Sequence, residues 1–594
     1  MINCTVNNKQ IYVEKDTTIL EACRKNGIYI PSLCNLDKVC NFGTCRMCVV
    51  EIEKAKTLQA ACVTAVQEGM VIKTNTMKVQ QMRKVLYELL LSDHKQQCLS
   101  CSRNLSCELQ ALGKTLGIKE SRFNNNESHR KSEISVSITR DMDKCILCRR
   151  CISVCNEIQG VGILHAQNRG YDTVISAANE FDLAQTDCIY CGQCTMVCPV
   201  GALMETDATE IVKRALNDPH IHTVVQVAPA VRVAIGEEFG YSPGTPVTGK
   251  LFSALRDLGF DDIFDTNFAA DLTIIEEGTE FLGRIKNALT KGQGQLPMIT
   301  SCSPGWIKYC EHNYPHHLEH LSTCRSPHMM LGSLAKSYYA NKIGVDPKKM
   351  FVVSVMPCTA KKFEITRPEM AIDEIQSVDA VLTTRELASL IKTAGIDFTM
   401  LSDSHADNPL GFSSGAADIF GVTGGVMEAA LRTAYELITG RELPFEHLRL
   451  EQIEGFDPIK EAMITITDPL PAYSFLDHQT LRIAVASGVK NAEVLMKQVA
   501  EGTSPYHFIE IMGCPGGCIN GGGQPRSNDP LTAQKRLEGL FAEDMGKGIR
   551  KSHENAFVNE LYVAFLNHPN SHIAHEYLHT HYIGRGKYNE LLDD

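Results

Sequence analysis

Cys145-x2-Cys148-x2-Cys151-x3-Cys155 and Cys188-x2-Cys191-x2-Cys194-x3-Cys198-Pro199 repeat the spacing with which bacterial ferredoxins hold two 4Fe–4S cubes. The fourth cysteine of each run reaches across to the other cluster. The pattern therefore assigns Cys145, Cys148, Cys151 and Cys198 to one cube, and Cys188, Cys191, Cys194 and Cys155 to the second. Asn156 stands where proline usually follows the first run. Upstream, Cys34-x10-Cys45-x2-Cys48-x13-Cys62 suits a 2Fe–2S cluster held by four loop thiolates. Cys40 competes with Cys34, because Cys40-x4-Cys45-x2-Cys48 matches the plant-type spacing. His94-x3-Cys98-x2-Cys101-x5-Cys107 suits a 4Fe–4S cluster with one imidazole ligand. Neutral imidazole in place of thiolate removes a negative charge and raises the potential. Structural zinc is the competing reading for both sets.

Four further cysteines stand in the second half at the ends of apolar runs. Cys302 lies in Thr300-Ser-Cys-Ser-Pro-Gly-Trp306, which holds the single tryptophan of the chain. Cys358 lies in Met356-Pro-Cys-Thr-Ala-Lys361-Lys-Phe-Glu364, and Cys514 and Cys518 lie in Cys514-Pro-Gly-Gly-Cys518-Ile-Asn-Gly-Gly-Gly523. An isolated cysteine is usually a small buried apolar residue. The glycines here let the backbone approach a bulky inorganic group and donate N–H bonds to it. The first cysteine set reads as a wire for electrons, and the second as the cluster where it ends.

The elements that must position these residues follow from local pattern. Residues 2–6 and 10–13 alternate as strands around the turn pair Asn7-Asn8. Thr18 to Asn26 reads as a short helix, capped by Asp16 or Thr17 and stopped at Gly27. Residues 76–92 have helical periodicity through Met82, Val85, Leu86, Leu89 and Leu90. The polar stretch 121–133, with Asn124-Asn125-Asn126, reads as a linker. From about residue 210, apolar strands alternate with helices. Runs 297–300, 351–355 and 507–511 are short strands that lead into Cys302, Cys358 and Cys514, and strand ends are where α/β folds build their sites.

A chain of 594 residues implies several domains. We expect a β-grasp 2Fe–2S domain (1–78), a His/Cys3 cluster domain (79–125), a two-cluster ferredoxin-like domain (126–209), a large α/β catalytic domain (210–523) and a C-terminal segment (524–594). The net charge of −12 argues against a general nucleic-acid binder. No run reaches the roughly 18 apolar residues of a membrane span, and the N-terminus lacks the features of a secretory signal, so a soluble cytoplasmic protein is expected. Disulfide scaffolds are short and secreted, which this chain is not.

The three second-half motifs, with the ladder before them, resemble the iron-only (FeFe) hydrogenases, particularly the long form with four accessory clusters. The likeness covers essentially the whole chain, and the N-terminal third also resembles an iron–sulfur subunit of respiratory complex I. The resemblance favours Cys34 over Cys40. It implies one 2Fe–2S cluster, three accessory 4Fe–4S clusters and a catalytic H-cluster: a 4Fe–4S cube joined to a diiron unit with CO, cyanide and dithiolate amine ligands. Cys358, Cys514 and Cys518 would hold the cube, Cys518 as the bridge. Lys361 would hydrogen-bond a cyanide, and Met356 and Met512 would pack on the diiron unit. Glu277, Glu280, Arg284 and Ser322 would carry protons. Without the family, these acidic residues read as a solvated helix face. The first motif departs from the family, which often has two adjacent cysteines there, one a cube ligand and one a proton relay. Gapless spacing to Cys358 puts Cys302 in the relay position and Ser303 in the ligand position. Thiolate affinity for iron favours the reverse, and we expect Cys302 as a cube ligand with Ser303 as a nearby hydroxyl.

The implied reaction interconverts H2 with two protons and two electrons. No Gly-x-Gly-x-x-Gly sits in a strand–turn–helix setting, and Gly421-Val-Thr-Gly424-Gly425 lacks that fingerprint. Electrons are therefore expected to pass to ferredoxin or to flavin/NAD(P)-binding partner subunits, and maturation proteins to build the diiron unit. An electron-transfer subunit, or an iron–sulfur assembly or sensing protein on the same fold, are the rival readings. Cys4, Cys23, Cys40, Cys310 and Cys324 are treated as structural thiols. His568, His572, His575, His579 and His581 are read as packing and surface residues. The C-terminal segment resembles the hydrogenase small-subunit region, a docking piece.

Overall fold

The computed structural model describes residues 1–123, 130–443, 459–527 and 529–587. The centre of the expected linker, Asn124-Asn125-Asn126, lies outside the described residues. The chain forms two compact units, Met1–Thr186 with Gln193–Met204, and Asp187–Gly192 with Glu205–Asp594.

The first unit opens with a five-stranded sheet in the order Lys9–Val13, Ile2–Val6, Met70–Lys73, Val49–Ile52, Gln59–Ala60. Asn7 and Asn8 take φ of +48° and +70°, which lets the first hairpin follow the strand twist. Cys4, Val6, Ile11 and Val13 alternate inward and meet Cys23 on the helix Ile19–Lys25. That helix is capped by Thr18, whose hydroxyl accepts from the Glu21 N–H, one residue later than the expected cap. Ile2–Val6 runs parallel to Met70–Lys73, so the helix crosses the sheet as a β-grasp requires. The helix Met77–Ser92 forms as expected but buries another face. Met82 and Leu89 are exposed, while Val79, Arg83 and Tyr87 point inward. Arg83 donates to the Val49 carbonyl and Tyr87 to that of Leu109, and these polar tips fix the face.

The four 2Fe–2S candidates come together on this frame. The Cys34 thiol is hydrogen-bonded to Cys45 and Cys62, and Cys48 to Cys62. Cys40 is buried apart from them, in a turn where its N–H donates to the Leu36 carbonyl.

The second unit holds two four-stranded sheets. One runs Asp262–Asp265, His222–Val227, Met350–Met356, Ala380–Thr383, all parallel. Val224, Val225, Val352, Val353 and Val355 are buried, the continuous apolar pattern of strands covered on both faces. The other runs Met298–Ile299, Phe508–Met512, Thr480–Ser487, Ile459–Thr465, parallel except at its last pair. The C-terminal helices Thr532–Gly546, Ala556–Leu561 and His572–Leu578 close over the unit, and Val558, Leu561, Ala574 and Leu578 join its main core. Among the described residues no helix is long and apolar enough to cross a membrane.

One buried ion pair ties the last motif to this frame. Arg385 donates to both carboxylate oxygens of Glu205, to the Gln524 carbonyl at 2.5 Å and to the Gly522 carbonyl at 2.9 Å. Burial raises the Glu205 carboxyl, but Arg385 and then Arg526 outweigh it and hold it down at about 2. Arg385→Leu strands that carboxylate. We expect a loss of about 3–5 kcal/mol of stability, read by denaturant unfolding, together with lowered iron content. In the first unit, Cys34→Ser should abolish the 2Fe–2S electron paramagnetic resonance signal of the reduced protein, while Cys40→Ser leaves it intact.

Candidate active site

Three strand ends build the site. Met298–Ile299 and Phe508–Met512 are adjacent and parallel, so the loops bearing Cys302 and Cys514 leave the sheet side by side. The Thr300 N–H donates to the Ile509 carbonyl at 3.0 Å, and the Thr300 hydroxyl accepts from the Ile511 N–H at 3.1 Å. These bonds carry the pairing past the end of a two-residue strand. Cys358 follows the third strand, Met350–Met356. The Gly523 N–H donates to the Pro357 carbonyl at 2.8 Å, which holds the Cys518 loop against the Cys358 loop. Burial, then Cys358 and Cys514, push the Cys518 thiol up to about 12. Three thiols close enough for two to raise the third are the donor set a thiolate-bound cluster takes, since iron replaces their protons.

The glycines also serve the packing of the loops themselves. Gly517 has φ of +97°, which turns the chain between Cys514 and Cys518. In the triple glycine, a Cβ on Gly521 would lie 2.2 Å from the Pro357 carbonyl oxygen, and one on Gly522 2.3 Å from that of Cys191. The run lets protein backbones approach each other closely.

Cys302 and Ser303 face different surroundings. Ser303 is extended, with φ −102° and ψ 102°, so consecutive side chains point to opposite sides. The Ser303 hydroxyl accepts from the Gly513 N–H at 3.2 Å, beside Cys514. Cys302 packs against a buried apolar cluster that includes Ala270, Ile274, Phe420 and Met512. Its thiol is pushed well up by burial and by Glu277, against the pull of Lys361.

Lys361 donates to the Cys302 carbonyl at 3.1 Å and to Glu364 at 2.7 Å. Glu364 also meets His328 Nε2 at 2.8 Å, and His328 Nδ1 lies 3.1 Å from the Ser354 hydroxyl. Burial alone would raise the Glu364 carboxyl, but Lys361 and His328 together hold it down at about 2. Burial and Lys361 lower His328 to about 4, so it is neutral and the network has one cation and one anion. Glu364, His328 and Ser354 were not legible as functional. Glu364 and His328 differ from ordinary helix residues only through contacts made across the fold. Met356 is buried in the main core.

On the helix Thr266–Lys291, Glu276 and Glu277 are buried, and the Glu280 side chain is 12% exposed. The solvated-face alternative is therefore wrong for this helix. Burial, then Glu280 and Glu510, push Glu277 up to about 8 despite its hydrogen bond with Ser322. Raised this far, Glu277 holds its proton at neutral pH, beside Ser322. The Ser322 hydroxyl donates to Glu280 Oε2 at 3.2 Å, and Arg284 donates to Glu280 Oε1 at 2.6 Å. Glu510, also buried, accepts from the Gly424 and Met427 N–H groups at 2.7 Å each, with its carboxyl raised by burial to about 7. The start of the helix Gly425–Thr439 is thus capped by a protein carboxylate, which occupies the place a phosphate would take.

The accessory cysteines also gather. His94, Cys98, Cys101 and Cys107 line one hollow. His94 Nδ1 lies 2.9 Å from the Lys144 carbonyl, which leaves Nε2 for a metal, and burial lowers its pKa so that the ring is neutral. Cys145, Cys148, Cys151 and Cys198 line a second. Cys155 and Cys194 lie in the first unit, Cys188 and Cys191 in the second.

Residues 221–522 match the family model "Iron only hydrogenase large subunit, C-terminal domain", and 531–585 match "Iron hydrogenase small subunit". Residues 1–77 match a 2Fe–2S cluster binding domain, 83–122 the NADH-ubiquinone oxidoreductase-G iron–sulfur binding region, and 135–204 the ferredoxin-like domain of NADH-quinone oxidoreductase subunit 3. The chain is 49% identical to the NADP-reducing hydrogenase subunit HndD of Solidesulfovibrio fructosivorans, over 98% of this chain and 99% of that one. It is 42% identical to iron hydrogenase 1 of Clostridium pasteurianum, over 97% and 99%. The cytosolic iron–sulfur assembly component 3 of Mus musculus is 30% identical, over 67% and 83%. A solved FeFe hydrogenase of Chlamydomonas reinhardtii superposes with a TM-score of 0.58 at 44% identity, covering 64% of this chain and 100% of its own. The gathered thiols, the buried acid chain and these likenesses agree: the chain belongs to the iron-only (FeFe) hydrogenases, enzymes that interconvert H2 with protons and electrons.

Proposed function

We propose that this chain is the hydrogen-activating subunit of a cytoplasmic complex that exchanges electrons with NAD(P) through flavin-bearing partner subunits. The likeness to an NADP-reducing hydrogenase subunit over nearly the whole length supports it. So does the helix start at Gly425, whose free N–H groups are taken by Glu510 rather than left for a dinucleotide. Ferredoxin is the alternative acceptor. One 2Fe–2S cluster and three accessory 4Fe–4S clusters would form the wire, and separate maturation proteins would supply the diiron unit. The observation that carries the catalytic reading is the meeting of the Cys358, Cys514 and Cys518 loops at the ends of parallel strands. Infrared bands of CO and cyanide in the matured protein, with hydrogen uptake, test it. Matured protein without those bands would favour the assembly reading that the 30% identical relatives suggest.

When bound, the H-cluster supplies the site where H2 is split and two electrons are stored. Cys358, Cys514 and Cys518 would hold its cube. The fourth place would fall to Ser303, because its hydroxyl lies beside Gly513 while Cys302 is turned towards Met512. This reverses the assignment that thiolate affinity favours. Cys302 then stands as the first proton carrier. Glu277, Ser322 and Glu280 pass the proton on, each able to accept one and give another, and Arg284 holds Glu280. Lys361, fixed by Glu364, presents the donor for a cyanide.

Cys302→Ala should lower turnover on the order of 10²- to 10⁴-fold with iron content unchanged. If it instead loses the cube, Cys302 is the ligand. Ser303→Cys should keep the iron and change the magnetic resonance spectrum of the cube. Glu277→Gln cannot cycle a proton and should cut turnover by a similar factor. In the native enzyme Glu277 holds a proton to give below pH about 8 and is a carboxylate above it. Hydrogen evolution should therefore fall as pH rises through 8 faster than uptake does, in paired assays across that range.

A further inference from the structure

Behind the acid chain, three residues bring metal-binding atoms together. Glu280, Cys324 and His579 each offer one ligand atom, and these atoms lie within 4.8 Å of one another. They come from three separate parts of the chain: the helix Thr266–Lys291, the loop after Leu321, and the end of the C-terminal helix His572–Leu578. The bridge between Cys324 and His579, and the Thr580 N–H donating to the Thr323 carbonyl, fix the C-terminal strand of this trio in place.

The donors suit one class of ion. A thiol, an imidazole and a carboxylate are a zinc set, and Cys324 and His579 are both buried. The outer contacts are those of a ligating histidine. His579 Nε2 lies 3.1 Å from Glu276 Oε2, and Glu276 is itself held by the Tyr562 hydroxyl at 2.6 Å and the Asn570 N–H at 2.8 Å. A carboxylate on the far nitrogen orients the ring, and Nδ1, hydrogen-bonded to Thr323 Oγ1 at 2.8 Å, would exchange that partner for an ion. Arg284 takes Glu280 Oε1 and leaves Oε2 to the side of Ser322 and Thr323. Burial, then Glu280, Glu277 and Glu276, push the Cys324 thiol well up. Against these acids stand Arg284 and Arg325, the latter donating to the His579 carbonyl at 2.8 Å, and His575 stacks on His579 with ring centroids 4.1 Å apart.

We propose that Glu280, Cys324 and His579 form a binding site for a thiophilic divalent cation of the zinc class, whose occupancy stops proton passage at Glu280. The site itself needs only the three donors. The inhibition rests on the reading above that Glu280 belongs to the proton route. A carboxylate oxygen bound to a metal cannot accept a proton from Ser322, so occupancy would slow turnover without touching the electron wire.

Zinc chloride added to the matured, reduced holoenzyme should inhibit hydrogen turnover, and EDTA should restore it, with the infrared bands unchanged. Zinc K-edge absorption should show one sulfur with nitrogen and oxygen neighbours. Cys324→Ser and His579→Gln should keep basal turnover. They should raise the zinc concentration for half inhibition by at least about tenfold, and Glu276→Gln should do so by about 10- to 100-fold. A zinc shell without sulfur, or sensitivity unchanged in both ligand variants, would overturn the site. Zinc bound with sulfur and lost from Cys324→Ser, yet without effect on turnover, would overturn the inhibition and remove Glu280 from the proton route, leaving the hydrogenase reading intact.

Discussion

The site depends on a two-residue strand. Met298–Ile299 is too short to hold its place through its own ladder, and Thr300 extends it by bonding Ile509 and Ile511 on the neighbouring strand. That register sets where the first and third motifs leave the sheet. A shift by one residue would turn Cys302 and Ser303 to each other's sides and separate Ser303 from Gly513. The second motif comes from the other sheet and is held by the Pro357–Gly523 bond instead. Parallel strands make this convergence possible, because their carboxyl ends open on one crevice.

Charge burial is the second constraint. Lys361, Glu364, Arg385 and Glu205 would each cost several kcal/mol if left unpaired in a low-dielectric interior. Each is paired, and the pairs sit at the motifs. Lys361 with Glu364 stiffens the Cys358 loop, and Arg385 with Glu205 stiffens the Cys518 loop. Glu277, like Glu510, is an exception. It is buried without a cation on it and keeps its proton near neutral pH instead. Burial that fixes the neighbouring ions as charges thus leaves this acid poised to exchange protons.

Much of this was legible in the sequence, for identifiable reasons. The first hairpin was, because Asn7 and Asn8 can take positive φ and few residues can. The strand ends before Cys302, Cys358 and Cys514 were, because β-rich runs stop abruptly at loops. The cysteine groupings around His94 and Cys145 follow from spacing alone. The buried face of the helix Met77–Ser92 was not, because its partners are backbone carbonyls that Arg83 and Tyr87 reach across the fold. The network from Lys361 to Ser354 was hidden for a similar reason, since His328 and Ser354 lie far from Glu364 in sequence. The backbone packing at the triple glycine was not legible, because close approach of two backbones and close approach of a cluster demand the same residue. Glu276 was quoted only as a neighbour of Glu277, and its partners lie almost 300 residues away.

On the function proposed above, the dipeptide Cys302-Ser303 is where electrons and protons part. In extended backbone its two side chains cannot face one group. One looks along the sheet edge towards Cys514, the other towards Met512 and the acid chain. A thiol on the proton side is useful, because it ionises more readily than a hydroxyl and can follow Glu277 through small changes of environment. An oxygen on the cluster side is the less expected choice. A cube with three thiolates and a serine oxygen is harder on one corner, and if the serine stays protonated the cube carries one negative charge fewer. The second case matches the logic of imidazole at His94, where loss of a thiolate charge raises the potential. Both ends of the wire would then be adjusted by the same device, the replacement of one sulfur, with the chain between them keeping full thiolate sets.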